Sequence, residues 1–184
     1  VSHASDEPSR GGLPLRCESR TVLEGRIFDV VSSQLVLPSG IQQDLLTIEH
    51  PGAVAIAALQ RNGELVLVRQ YRHAARECLV ELPAGRLNRG EDPLLAAQRE
   101  LAEETGLSAG SWSLLTTFYP APGFASERMH VFLAQELVPG ERELDPDEEI
   151  EVLTMTPARV LELVRDGKTL LAAALLLLGG ARPR

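Results

Sequence analysis

Apolar residues follow two rhythms along this chain. In the first third they come in short β-rich runs, Thr21 to Val31, Ser33 to Leu37 and Asp44 to Glu49, with Pro38-Ser39-Gly40 as a turn. That pattern predicts a small antiparallel sheet. Ala53 to Leu59 and Leu65 to Gln70 are continuous apolar runs on either side of Arg61-Asn62-Gly63-Glu64. The Asn-Gly pair is a strong hairpin signal, so these two strands are expected side by side in the main sheet. Leu94, Ala97 and Leu101 then recur at helical spacing, which predicts a helix from Pro93 to about Thr105. Trp112 to Tyr119, Arg128 to Glu136 and Glu151 to Met155 read as further strands. Pro157 to Arg165 and Thr169 to Leu178 read as closing helices divided at Gly167.

The helix with the sharpest boundaries also carries the most unusual chemistry. Asp92 is a good N-cap, Pro93 suits the first helical position and Gly106 suits a left-handed C-cap. Between them Glu100, Glu103 and Glu104 stand at i, i+3 and i+4, three carboxylates on one side of the helix. Each like-charged pair at that spacing costs roughly 0.2–0.5 kcal/mol, and a divalent cation reverses the sign of the effect. Taken alone, the three glutamates read either as a hard-metal site or as a solvated acidic face. Ahead of the helix, Gly85, Gly90 and the ELPAG segment supply a loop whose backbone carbonyls can point at a cation. Glu91 lies where it can pair with Arg99 and fix loop to helix, although an ordinary surface ion pair would look the same.

Composition narrows the partners. The chain has 184 residues, enough for one buried core, and 44% of them are hydrophobic. With a net charge of −8 and no basic stripe, it offers nothing that would hold a nucleic acid. The apolar run Leu170 to Leu178 is far shorter than the roughly 20 residues a membrane span requires, so it is expected to be a buried helix. The polar opening VSHASDEPSRGG lacks the apolar centre of a secretory signal and reads as the start of a flexible tail. Cys17 and Cys78 suggest no disulfide framework, which makes a reducing cytoplasm the simplest compartment. His50, His73 and His130 show no metal-ligand spacing.

Read as one string, Gly85, Glu91, Arg99-Glu100-Leu101, Glu103-Glu104 and Gly106-Leu107 reproduce every fixed position of the signature of the Nudix hydrolases. The resemblance implies an α/β/α sandwich around a mixed sheet and hydrolysis of a nucleoside diphosphate linked to another moiety. The segments EGRIFDV, HPGAVAI, VRQYR, ELPAG and DEEIEV, with Pro122 beyond the box, resemble the ADP-ribose pyrophosphatase branch and extend the likeness over Thr21 to Leu178. Within that family other substrates remain open: NADH, GDP-mannose and diadenosine polyphosphates. A nucleotide-binding module without turnover is the reading from a different class, and it sits poorly with a complete set of box carboxylates.

The same resemblance assigns roles. Glu100 and Glu104 become metal ligands, Glu103 shares a second ion, and the Ala84 carbonyl completes one shell, with Mg²⁺ as the ion and Mn²⁺ as its substitute. Gly85, Glu91, Arg99 and Gly106 are structural. The general base falls in the acidic run Asp145 to Glu151, with Glu148 the nearest match and Glu149 its rival; a solvated charged loop is the alternative for either. Arg72 is the best phosphate clamp because guanidinium offers paired donors, with Arg69 weaker. Glu127 resembles a glutamate that holds the terminal ribose. Phe28 is a candidate to stack on adenine, though plain core packing is the preferred reading for it. The branch also implies a homodimer with exchange of the N-terminal strands. The expected organisation is a tail over residues 1–19, those strands over 20–51 and the hydrolase domain over 52–184.

Overall fold

A computed structural model describes residues 13–144 and 149–179. Its backbone separates into two compact units, one running up to His50 and including Gly123–Ala125, the other containing the rest.

The first unit is an antiparallel meander of β1 (Arg16–Leu23), β2 (Asp29–Val36) and β3 (Gln42–Glu49). The expected single strand from Thr21 to Val31 is broken between Leu23 and Asp29. Gly25 donates its N–H to Asp29 Oδ1 at 3.0 Å, and a Cβ at Gly25 would lie 2.4 Å from the Phe28 carbonyl oxygen, so the turn closes too tightly for a side chain. The sheet also begins earlier than the pattern suggests, at Arg16. The turn at Gly40 forms as expected, with its N–H on the Leu37 carbonyl and φ at 82°.

The second unit is a seven-stranded sheet. Its order is β10 (Glu151–Met155), β5 (Leu65–Arg72), β4 (Ala53–Leu59), β9 (Met129–Pro139) and β8 (Leu107–Phe118), with β6 (Glu77–Glu81) on β5 and β7 (Ala84–Arg86) on β4. The β4–β9 pair is parallel and the others are antiparallel, which makes the sheet mixed. Every residue of β4 is buried because both of its faces are covered. Ala53, Ala55, Ala57 and Leu59 face one core with Val160 of α2 (Pro157–Leu163) and Ala172, Ala173 and Leu176 of α3 (Gly167–Gly179). Val54, Ile56 and Ala58 face the other core with Ala96, Ala97 and Leu101 of α1 (Pro93–Thr105). The period-two alternation of one strand thus sorts helices onto opposite faces, giving the α/β/α sandwich.

Three details depart from the pattern. β6 and β7 were not expected: ELPAG is the crossing from one to the other, pinned by the Ile56 N–H on the Pro83 carbonyl at 2.8 Å. β8 starts at Leu107, directly after the helix cap, because its first residues pair with the far end of β9 while Leu107 and Ala109 pack against the core under α1. The Leu170–Leu178 run buries only one side; Leu177 and Leu178 are exposed. Among the described residues no helix is long and apolar enough to cross a membrane.

Candidate metal and phosphate site

α1 is anchored at both ends, which fixes the direction of its carboxylates. Asp92 Oδ1 accepts the Leu94 and Leu95 N–H groups at 2.9 and 3.2 Å, and Gly106, at φ 70°, returns its N–H to Ala102. The helix then lays Glu104 under β7. Glu104 is 3% exposed, and its Oε2 accepts the Ala84 N–H at 3.0 Å. Glu100 reaches the next residue: a Cβ on Gly85 would lie 1.9 Å from the Glu100 carboxyl carbon. Only glycine leaves room for a carboxylate against the backbone there.

Arg99 lies among the acids. Its Nε and one terminal nitrogen donate to the two oxygens of Glu91 at 3.1 and 3.2 Å, and the other terminal nitrogen reaches Glu100 at 2.7 Å and Glu103 at 2.9 Å. It also meets the Arg86 carbonyl at 3.3 Å. Burial works against the Arg99 charge, but Glu91, Glu100 and Glu103 outweigh it and drive its pKa upward. Glu91 responds in the opposite sense: the Arg99 hydrogen bond, followed by that from the Asn88 N–H, holds its carboxyl below the usual range. With Glu91 and Arg99 both largely shielded, this is a partly buried brace between loop and helix and not a loose surface pair.

The structure therefore brings together Ala84, Gly85, Glu91, Arg99, Glu100, Glu103, Glu104 and Gly106. Among the described residues no three acidic, imidazole or thiol groups converge tightly enough to enclose an ion. The donors nevertheless suit a hard divalent cation: they are all oxygens, and the cradle at Gly85 holds a carboxylate where a side chain would displace it.

The remaining candidates lie elsewhere. Arg72, half-exposed, donates Nε–H to Glu81 at 2.7 Å. Arg69 pairs with Glu151 at 2.9 Å across the β5–β10 ladder. Arg69, but not Arg72, lines a shallow pocket of about 500 Å³ with Tyr71, Cys78 and the exposed Glu149. Glu148 lies outside the described residues. Glu127 is half-buried ahead of β9. Phe28 is 40% exposed and is not part of either core, which corrects the preferred reading of it as a packing residue. The short turn through Gly25 leaves its ring outside.

Sequence reading missed Glu81, Asp166, Lys168 and Thr169, which form one buried polar cluster, and Arg142. Arg142 donates to the Glu104 carbonyl at 2.5 Å and the Ile150 carbonyl at 2.8 Å, tying the end of α1 to the approach to β10. For Glu81 a signal was present: a lone carboxylate between Val80 and Leu82 in an apolar run is expected to be buried and paired.

A NUDIX domain model matches residues 49–174. The chain is 42% identical over 145 residues to an ADP-ribose pyrophosphatase of Bacillus subtilis, covering 78% of each protein. It is 45% identical over 120 residues to an ADP-ribose pyrophosphatase of Mycobacterium tuberculosis, covering 65% of this chain and 58% of that one. A crystal structure of an ADP compounds hydrolase superposes with a TM-score of 0.76 at 27% identity, over 94% of this chain and 97% of the other.

Two outcomes follow from the geometry. Gly85→Ala should displace the Glu100 carboxylate, so divalent-metal affinity measured by calorimetry should fall at least about tenfold, the loss of one ligand's worth of stabilisation; unchanged affinity would remove the cradle from the site. Because the Glu91 pKa is lowered by folding, its contribution is present above the unfolded carboxylate range and is lost as pH falls through the lowered value. Glu91→Gln should therefore lower the urea midpoint at neutral pH, and the gap from the parent should close in acid. A gap independent of pH would rule out the charge as the source.

Proposed function

We infer the reaction from one premise: the chain belongs to the Nudix family. It is a hydrolase that cleaves the pyrophosphate of ADP-ribose to AMP and ribose 5-phosphate. The observation that carries this reading is the coincidence of a complete Nudix box, folded around Gly85, with 42% identity to an ADP-ribose pyrophosphatase across most of both chains.

A divalent ion, Mg²⁺ with Mn²⁺ as substitute, would be held by Glu100, Glu103, Glu104 and the Ala84 carbonyl. When bound it would lower the pKa of an attacking water and neutralise charge on the bridging and leaving phosphate oxygens. The protein's own groups prepare that chemistry. Burial of Glu104 and its bond from the Ala84 N–H support a ligand held in one orientation. Arg99 restrains Glu100 and Glu103 and keeps the helix joined to its loop.

Arg72 is assigned to the substrate phosphates, with Arg69 second, and Glu127 to the terminal ribose. Phe28, with its ring exposed, is assigned to adenine. Proton removal from water is assigned to Glu148 or Glu149. The position of Glu149 beside Arg69 and Glu151 in one pocket supports it as the alternative to Glu148.

A homodimer is part of the same proposal. Leu23, Leu45 and Leu46 are exposed on the three-stranded sheet and Ile41 in the turn before β3, and apolar side chains left in solvent favour a partner. Two exposed, unbridged cysteines are in keeping with a reducing cytoplasm.

Metal-stripped protein should release no AMP from ADP-ribose until Mg²⁺ is restored, and ADP-ribose should be turned over faster than NADH, GDP-mannose, diadenosine polyphosphates or deoxynucleoside triphosphates. A different member of that panel in first place would reassign the substrate, and release without metal would discard the mechanism. Glu104→Gln should cut kcat by at least about a hundredfold, the scale expected for losing an electrostatic stabiliser of the transition state. Near-normal turnover would take Glu104 out of the metal set.

A further inference from the structure

The second buried polar cluster joins the ends of β5 and β6 to the start of α3. Glu81, at the end of β6, is 3% exposed, and its two oxygens are divided between two cations: Oε2 accepts Arg72 Nε–H at 2.7 Å and Oε1 accepts Lys168 Nζ–H at 2.8 Å. Lys168, at the start of α3, also meets Asp166 Oδ1 at 3.0 Å. Asp166 Oδ2 accepts the Thr169 N–H and hydroxyl at 3.0 and 2.5 Å, and the Thr169 oxygen accepts the Leu82 N–H at 2.8 Å. The circuit thus begins on Glu81 and returns to its neighbour Leu82, and its two cations balance its two anions.

A buried carboxylate with one cation draws that cation in as completely as geometry allows, because its second oxygen is otherwise left without a donor. Lys168 removes that demand. With Oε1 occupied, Glu81 holds Arg72 through Nε, the nitrogen farthest from the tip of the guanidinium, while the Arg72 side chain remains 41% exposed. Among the described residues nothing occupies the paired terminal nitrogens, the part of arginine that matches phosphate oxygens.

We propose that Lys168 is a positioning residue for the phosphate clamp: by occupying one oxygen of Glu81, it makes Glu81 orient Arg72 toward a diphosphate instead of consuming it. This rests on the assignment of Arg72 to the substrate phosphates. Thr169 completes the device by fixing Leu82, two residues ahead of the N–H that holds Glu104.

The test is a double-mutant cycle in ADP-ribose hydrolysis on the full chain. Arg72→Ala should raise KM about tenfold, the loss of one charge-assisted contact, and Lys168→Met should raise it several-fold, with kcat within about twofold of the parent. Lys168→Arg should restore KM, and the double variant should be no worse than Arg72→Ala. Additive KM effects, or Lys168→Met losing thermal stability with KM unchanged, would overturn the proposal. If Lys168→Met does not fold, Lys168→Leu, which also lacks a donor, carries the same comparison. A readout free of turnover separates this idea from the reaction itself. In nitrogen-15 NMR the Arg72 Nε–H should exchange slowly with solvent in the parent, and its environment should change in Lys168→Met and return in Lys168→Arg. An Arg72 signal indifferent to Lys168 sinks the positioning role even where ADP-ribose is hydrolysed. An Arg72→Ala variant of normal KM sinks both the clamp and its positioning, while leaving the reaction intact.

Discussion

Four carboxylates gathered on one helix turn and one loop need a cation among them, and Arg99 supplies it. It touches Glu91, Glu100 and Glu103, and through Glu91 it joins the loop after β7 to the middle of α1. Remove that charge and the acids repel one another across a few ångströms in a partly desolvated setting, where screening by salt is weak. The capped helix, the Ala84–Glu104 bond and the packing of Leu87 would remain, but the loop would lose its charged tie to the middle of the helix.

The segment between Glu81 and Gly85 is where both layers of helices act on the site. From one face α1 sends Glu104 to the Ala84 N–H; from the other α3 sends Thr169 to the Leu82 N–H. Pro83 between them gives its carbonyl to Ile56, in the most buried strand of the sheet. Five successive residues are thus held by α1, α3 and β4. A loop that must present carbonyl and carboxylate oxygens at fixed positions gains its precision from this bracing, because each anchor is buried and each polar group in it is paired. The sandwich architecture matters for the chemistry in this direct sense: without helices on both faces, the segment could be held from only one side.

The box was legible because its spacing encodes local geometry. Asp92, Pro93 and Gly106 mark helix ends by their own backbone preferences, and Glu100, Glu103 and Glu104 share a side of that helix by its period alone. The alternation in Ala53 to Leu59 was hidden, since both faces are buried and every position reads as apolar; only the packing shows that odd and even residues serve different cores. The Glu81–Lys168 pair joins positions 87 residues apart, and no local pattern carries such a contact. The Phe28 ring was misplaced for a similar reason: a phenylalanine in an apolar run suggests burial, yet among the described residues its sheet has no helix within its own unit to cover it.

Charge distribution explains how an acidic protein can hold a polyanionic substrate. Arg99 is set against Glu91, Glu100 and Glu103, and the carboxylate oxygens of this cluster, with Glu104, are donors that favour a divalent ion over phosphate on its own. The Glu81 cluster is organised the opposite way, with two cations balancing Glu81 and Asp166. One cluster is rich in carboxylate oxygens suited to a divalent cation; the other pairs its charges and exposes part of an arginine. On the proposed assignment of Arg72, a diphosphate would meet metal-borne charge and a guanidinium, which is the charge pattern its own oxygens demand.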